Sequence, residues 1–274
     1  MINKKTGIIG FGSMGSMLLN GFIDSNKIKL SSLFVSTRSK EKLSALKNKN
    51  ITICSSNNEL IKKCNLIFIC VKPLEIKHLL DEIKNELTGD KHIISIIGSL
   101  SINNIEKIFK GKISRVIPTL ISEVKEGITL TCHNSKVLEE DKTILNELLG
   151  SISKIKNIPE NEFEIISIIT SCAPGLIASI FKEFSDVAAL YTNLDKNELN
   201  DIIIKTLYGT GKLFYECNYG FDHTINRVAT KGGTTEAGVQ IIKEKIPGVF
   251  NKMFKNALER QKTRKQKIGD RFKT

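Results

Sequence analysis

A short apolar run, Gly7-Ile8-Ile9, leads into Gly10-Phe11-Gly12-Ser13-Met14-Gly15, and an apolar stretch with Met17, Leu18, Leu19, Phe22 and Ile23 follows. Strand, Gly-x-Gly-x-x-Gly turn and helix in that order are the pattern of a dinucleotide-binding βαβ unit. Gly10 is expected to make the tight turn. Gly12 lets the backbone approach a pyrophosphate, and Gly15 lets helix and strand pack closely. Residues Gly10, Phe11, Gly12, Ser13, Met14 and Gly15 are then the phosphate cradle, set on the positive end of a helix.

The rest of the first half repeats the alternation. Strand-like runs fall at Thr6–Gly10, Leu33–Ser36, Ile51–Cys54, Leu66–Val71, Ile93–Ile97 and Ser114–Ile117, with one more at Gly127–Cys132. Helical patterns fall at Met14–Asp24, Lys40–Lys47, Asn57–Lys63, Leu74–Leu87, Ile102–Phe109 and Leu138–Leu149. Strand then helix, repeated, gives a parallel sheet with helices on both faces. Leu66-Ile67-Phe68-Ile69-Cys70-Val71 has no polar alternation, as a strand buried on both faces requires.

From about Glu160 the strand signal stops. Ile165–Thr170, Leu176–Tyr191, Leu199–Tyr215 and Thr235–Lys245 read as helices. The expected fold is therefore α/β: an N-terminal Rossmann domain with a doubly wound sheet over residues 1–160, then an all-α domain over 161–274. Leu176–Tyr191 is apolar over more than one face, which points to burial against a second subunit; the competing account is a central helix of a monomeric bundle.

Composition narrows the function classes. Six cysteines form no Cys-x-x-Cys pair and no cluster with histidine, so neither a metal nor a disulfide framework is expected. Cys70 reads as a small buried hydrophobe. No histidine is assigned a catalytic role. The net charge of +12 is dominated by Lys spread along the chain, so no nucleic-acid partner is expected. The run Arg260–Lys267 reads as a solvated helix end or a frayed tail. No signal peptide fits before the first strand, and no apolar stretch is expected to approach the roughly 18 residues needed to span a bilayer. The expectation is a cytoplasmic protein with no membrane partner.

The end of the second strand selects the cofactor. NAD sites place a carboxylate there for the ribose 2′-OH. This chain has Ser36-Thr37-Arg38-Ser39, with no acid before Glu41. Ser36, Arg38 and Ser39 supply what a 2′-phosphate takes, a planar bidentate donor and short hydroxyls, so NADP is favoured and NAD is the second candidate. Alternatively Ser39 is a helix N-cap. Val71, Lys72 and Pro73 follow the fourth strand at its carboxyl end, where ligands of such sheets collect, and Pro73 forces the turn. Near the C-terminus, Thr230-Lys231-Gly232-Gly233-Thr234-Thr235 places two glycines and hydroxyls ahead of a helix. The backbone N–H groups around Gly232, Gly233 and Thr234 can hold a carboxylate, and the same spacing also fits a plain capped turn.

These motifs together resemble the pyrroline-5-carboxylate reductase family. The family's Ala-Val-Lys-Pro appears as Cys70-Val71-Lys72-Pro73. Its Arg-x-Met-Pro segment appears as Arg115-Val116-Ile117-Pro118, and its Gly-Ser-Gly-Pro-Ala helix start as Ser171-Cys172-Ala173-Pro174-Gly175. Its Ser-Pro-Gly-Gly-Thr-Thr appears as Thr230–Thr235. The order of motifs holds over the full length. The resemblance implies reduction of the cyclic imine 1-pyrroline-5-carboxylate to L-proline, and an intertwined homodimer, or an oligomer of dimers, with the substrate site at the dimer interface. It implies that Gly232, Gly233, Thr234 and the Thr230 hydroxyl hold the substrate carboxylate. Thr235 would orient the ring nitrogen, and Pro118 and Thr119 would border the nicotinamide.

The chain departs from the family at Thr119-Leu120-Ile121, Ala173 and Thr230-Lys231. Those departures keep a second reading open: a late-competence-type relative that binds NADP but acts on another imine or regulates. A 3-hydroxy acid type of dehydrogenase fits less well, because Ser171–Gly175 offers neither the Lys nor the Asn of that chemistry.

Overall fold

The computed structural model describes residues 1–46 and 49–273. Contacts divide the chain into two units. One comprises Met1–Pro174 and Leu258–Thr274, the other Gly175–Ala257.

The first unit is built on one sheet. In chain order it holds β1 (Thr6–Ile9), α1 (Ser13–Asp24), β2 (Leu33–Ser36), β3 (Thr52–Ile53), α2 (Asn57–Lys63), β4 (Leu66–Ile69), α3 (Ile76–Ile83), β5 (His92–Ser95), α4 (Ile102–Glu106), β6 (Lys112–Ile117), β7 (Gly127–His133), α5 (Glu139–Leu149) and β8 (Ser153–Asn157). The strand order is β3-β2-β1-β4-β5-β6-β7-β8. Pairings from β3 to β6 are parallel, so the order reverses between β1 and β4 and opens a crevice at their carboxyl ends.

Side chains alternate across the sheet and divide the core. Ile8, Phe68, Ile94 and Val116 face α1 and α5, where Leu18, Phe22, Leu145 and Leu148 close over them. The Phe22 and Phe68 rings meet at 5.4 Å between centroids. Ile67, Ile69, Ile93 and Ile113 face the other way, onto Leu60, Ile76, Leu80, Ile83 and Ile105. Both faces of the central strands are thus buried, as their unbroken apolar sequence requires.

Three departures from the sequence pattern have physical causes. β7 runs antiparallel to β6 because the link from Pro118 to Glu126 is too short for a crossover. β8 is a further strand that the pattern does not flag. It is an edge strand carrying Lys154 and Lys156, and charged edges resist pairing with other chains. The helix expected over Lys40–Lys47 is a 3-10 segment, Lys40–Leu46; Lys47 lies outside the described residues.

The helical run continues from α6 (Phe163–Ser167) through a π turn, Ile168–Cys172, into α7 (Ala173–Ala188). Glu160–Tyr191 is in fact long and apolar enough to cross a membrane by length and composition, with mean hydropathy 1.7 in its most apolar window, which corrects the expectation that no such stretch exists. The polar residues that punctuate it conceal the run in the sequence.

The second unit holds most of α7, then α8 (Lys196–Tyr215), α9 (Phe221–Val228) and the first part of α10 (Thr234–Asp270). Leu199 and Ile203 are buried, and Ser185 donates to Asn200 Oδ1 at 2.6 Å. Much apolar surface stays open, including Phe184, Leu190, Tyr191, Ile241 and Ile242.

α9 is not among the expected helices, although Phe221, Ile225 and Val228 recur along it at helical spacing; it is only eight residues long. α10 passes through Pro247 rather than ending near Lys245. Its last turns belong to the first unit, where Ile268 and Phe272 enter the core under α4. Of the two alternatives, Arg260–Lys267 is therefore the largely solvated helix end, held at Gln261 and Lys265, and not a frayed tail. Lys265 pairs with Glu164 at 2.7 Å, and Gln261 donates to Ser167.

Candidate cofactor and substrate sites

The crevice at the carboxyl ends of β1, β2 and β4 is a cleft of about 570 Å3. Gly10 sits at φ +96°, a conformation L side chains rarely adopt, and a Cβ there would lie 2.6 Å from the Cys70 carbonyl oxygen. A Cβ on Gly15 would lie 2.1 Å from the Gly10 carbonyl oxygen, so only glycine lets α1 start so near β1. Gly12 caps α1 in an extended conformation, and its missing Cβ faces open space. The leading N–H groups of α1, from Ser13 and Met14, have no partners within the helix, and no acid sits in its first turn. That cradle has the shape and the positive potential a pyrophosphate requires. Burial pushes the Cys70 thiol up, which leaves it an inert wall residue.

The far end of the cleft is more acidic than the sequence suggests. Ser36, buried, donates from Oγ to Asn57 Oδ1 at 2.8 Å, and Asn57 Nδ2 donates to the Glu82 carboxylate at 3.1 Å. Arg38 Nη2 lies 2.5 Å from Glu75 Oε1. Ser39 lines the same cleft, as do Val71 and Lys72. Asn57, Glu75 and Glu82 are the residues that sequence reasoning missed. They come from α2, from the 3-10 turn Pro73–Glu75 and from α3, all distant in sequence from the motif at the end of β2.

A second cavity of the same unit, about 790 Å3, is lined by Met14, Lys72, Pro73, Ser99, Pro118 and Cys172, with Arg264 and Lys267 from the end of α10. Lys72 lines both cavities. Behind the second, Arg115 is almost wholly buried. It pairs with Glu160 at 2.7 Å, donates to the Gly98 carbonyl at 2.7 Å and lies over the Phe163 ring.

Thr119 lines neither cavity. It is buried, and its hydroxyl donates to the Thr170 carbonyl at 3.3 Å. Pro174, four residues on, has no N–H to offer that carbonyl, so the π turn and Thr119 together accommodate the proline inside a continuous helix. Ser171–Gly175 is accordingly the middle of a helical run.

The loop Thr230–Thr235 belongs to the second unit and leads into α10. Gly232 sits at φ +75°. Its N–H donates to the Glu236 carboxylate at 2.7 Å, and the Gly233 N–H donates to the Thr230 carbonyl at 2.9 Å. Thr234 and Thr235 are exposed at the helix start.

His92 and His133 flank Ser114 in a hydrogen-bonded chain at 2.7 and 2.6 Å. Burial holds both imidazoles neutral, down to about 3 and about 4, and neither lines these two cavities.

A glycine cradle at the switch point of a parallel sheet, followed by a helical unit, defines a dinucleotide-dependent oxidoreductase. Residues 5–98 match the family model for NADP oxidoreductase, coenzyme F420-dependent, and residues 160–264 match that for pyrroline-5-carboxylate reductase dimerisation. Pyrroline-5-carboxylate reductase 3 of Bacillus subtilis is 36% identical over 97% of this chain and 98% of its own. ComE operon protein 4 of the same organism is 30% identical, over 92% and 93%. The crystal structure of Plasmodium falciparum pyrroline carboxylate reductase with NADP bound superposes with a TM-score of 0.84 at 28% identity, covering 98% of this chain and 99% of that one. The chain belongs to the pyrroline-5-carboxylate reductase family.

Proposed function

We propose that this chain reduces 1-pyrroline-5-carboxylate to L-proline with NADPH, the last step of proline biosynthesis. The observation that carries the reading is the 36% identity to a pyrroline-5-carboxylate reductase over essentially the whole of both chains. The glycine cradle supports a dinucleotide, and the cation at Arg38 supports NADP over NAD.

Residues 1–160 form the cofactor domain and 161–274 the dimerisation and substrate domain of a cytoplasmic homodimer, or of an oligomer of such dimers. Open apolar surface on α7 and α10 supports that assembly. The substrate is a small molecule, and neither nucleic acid nor membrane is a partner.

Gly10 to Gly15 hold the pyrophosphate, Ser36, Arg38 and Ser39 the adenosine end, and Val71, Lys72 and Pro73 the link to the nicotinamide, which Pro118 borders; Thr119, buried and bonded to the Thr170 carbonyl, does not reach it. Bound there, the reduced nicotinamide supplies a hydride for the imine carbon. The protonated imine is already electrophilic, so the chain supplies placement rather than a strong acid. Thr235 Oγ1 accepts from the iminium N–H and fixes the face of the ring. A neutral hydroxyl suits this position because a cation would repel the iminium. Gly232, Gly233, Thr234 and the Thr230 hydroxyl hold the substrate carboxylate. The Gly232 N–H donates to Glu236 and the Gly233 N–H to the Thr230 carbonyl, so the substrate carboxylate has to replace those partners there.

The test is oxidation of NADPH by the purified chain with DL-pyrroline-5-carboxylate, beside NADH. Turnover that prefers NADPH is expected. Tight NADPH binding without turnover would instead favour the second reading, a relative with a shifted role, for which the 30% identity to ComE operon protein 4 is the supporting observation.

A further inference from the structure

Arg38 and Glu75 form an ion pair at the dinucleotide cleft, and both line it. Glu75 is not an incidental partner on a wandering side chain. It ends the 3-10 turn Pro73–Glu75, which Pro73 starts and which Arg271 fastens from the other side by donating to the Leu74 carbonyl at 2.8 Å. The turn therefore presents the carboxylate to Arg38 from fixed backbone. Arg38 is the cation that the end of β2 offers to a 2′-phosphate, and its Nη2 is already engaged. A second carboxylate, Glu82, stands in the same cleft on the Asn57 amide and adds to its negative charge.

We propose that Glu75 is a specificity-determining residue: its carboxylate competes with the 2′-phosphate of NADP for the Arg38 guanidinium, and so narrows the preference for NADP over NAD. A dinucleotide without the phosphate leaves the pair intact, whereas the phosphate has to replace Glu75 on Arg38. With Arg38 82% exposed the pair is hydrated and opens readily, so Glu75 tunes the choice rather than blocking NADP. This inference rests on the NADP reading of the same cleft.

The test is isothermal titration of the full chain with adenosine 2′,5′-bisphosphate and with 5′-AMP, so that no turnover is needed. In Glu75→Gln, binding of the bisphosphate tightens about three- to tenfold while 5′-AMP moves by less than about twofold. In Arg38→Ala the same Glu75→Gln change gains less than about twofold for either probe, because the contested donor is gone. An unchanged or weaker bisphosphate affinity in Glu75→Gln, or equal gains for both probes, overturns the proposal. A full gain that persists without Arg38 also overturns it, since Glu75 would then act by direct repulsion and not by competition. A wild-type chain that binds 5′-AMP but not the bisphosphate removes the NADP reading itself. Circular dichroism of each variant confirms the fold.

Discussion

Arg38 is exposed and, among the described residues, pairs with Glu75, so its removal costs the fold little, and a change in cofactor kinetics reports on recognition. Loss of a charge-assisted hydrogen bond to phosphate is worth about 1.5–3 kcal/mol. Arg38→Ala is therefore expected to raise KM for NADPH about tenfold or more and KM for NADH by less than about twofold. Steady-state kinetics with both cofactors decide it, and equal effects would remove Arg38 from 2′-phosphate recognition. Thr235 stands at the start of α10 with its side chain exposed, so it too can be cut without a core penalty. Thr235→Ala is expected to lower kcat/KM by about tenfold or more through loss of the orienting hydrogen bond, with Thr235→Ser restoring most of it. Unchanged kinetics in a folded Thr235→Ala protein would take that hydroxyl out of the mechanism.

The elements around the second cavity are held by one buried side chain. Arg115, on β6, ties the Gly98 carbonyl after β5 to Glu160 ahead of α6, and Glu160 also accepts from the Ile102 N–H at α4. Arg115→Met keeps the stem but leaves three elements untied. With Glu160 partly hydrated, the expected loss is about 2–3 kcal/mol, read as a lower urea midpoint at unchanged slope. A midpoint within error of wild type would mean the pair is dispensable. Legibility in the sequence follows the same scale. The β1–α1 turn and the central strands were readable because apolar runs and glycine spacing are local. α9 is too short for its spacing to stand out, and β8 and the end of α10 were not readable, for their partners lie elsewhere in the chain. The acids of the cofactor cleft escaped for that reason, as Glu75 and Glu82 meet the end of β2 only through the sheet order. Thr119 needed the fold as well, since its partner carbonyl is orphaned by Pro174, far along the chain.

At the level of the whole molecule, the two units divide the work. The residues lining the dinucleotide cleft all belong to the first unit of a single chain, whereas open apolar side chains gather on the second. On α7, Ile177, Ile180, Phe184 and Val187 recur at helical spacing, and Tyr191 follows in the 3-10 turn Ala189–Tyr191; Phe184 is 61% and Tyr191 86% exposed. A face of that kind needs a cover, and in the proposed assembly that cover is a second copy of the chain, whose residues 160–264 match the dimerisation family model. Replacing Ile180 and Phe184 together by Asp desolvates carboxylates in that contact while touching little inside the single chain. Light scattering should then report a monomer where the wild type is a dimer or a multiple of dimers. Titration with NADPH should still report binding within about threefold of wild type, because the residues lining the cleft all come from one chain, while turnover of pyrroline-5-carboxylate falls by about a hundredfold or more if the substrate site lies at the proposed dimer interface. A fully active monomer would place the substrate site within one chain and end the dimer requirement; loss of both binding and turnover would place the cofactor cleft, too, under the control of the interface.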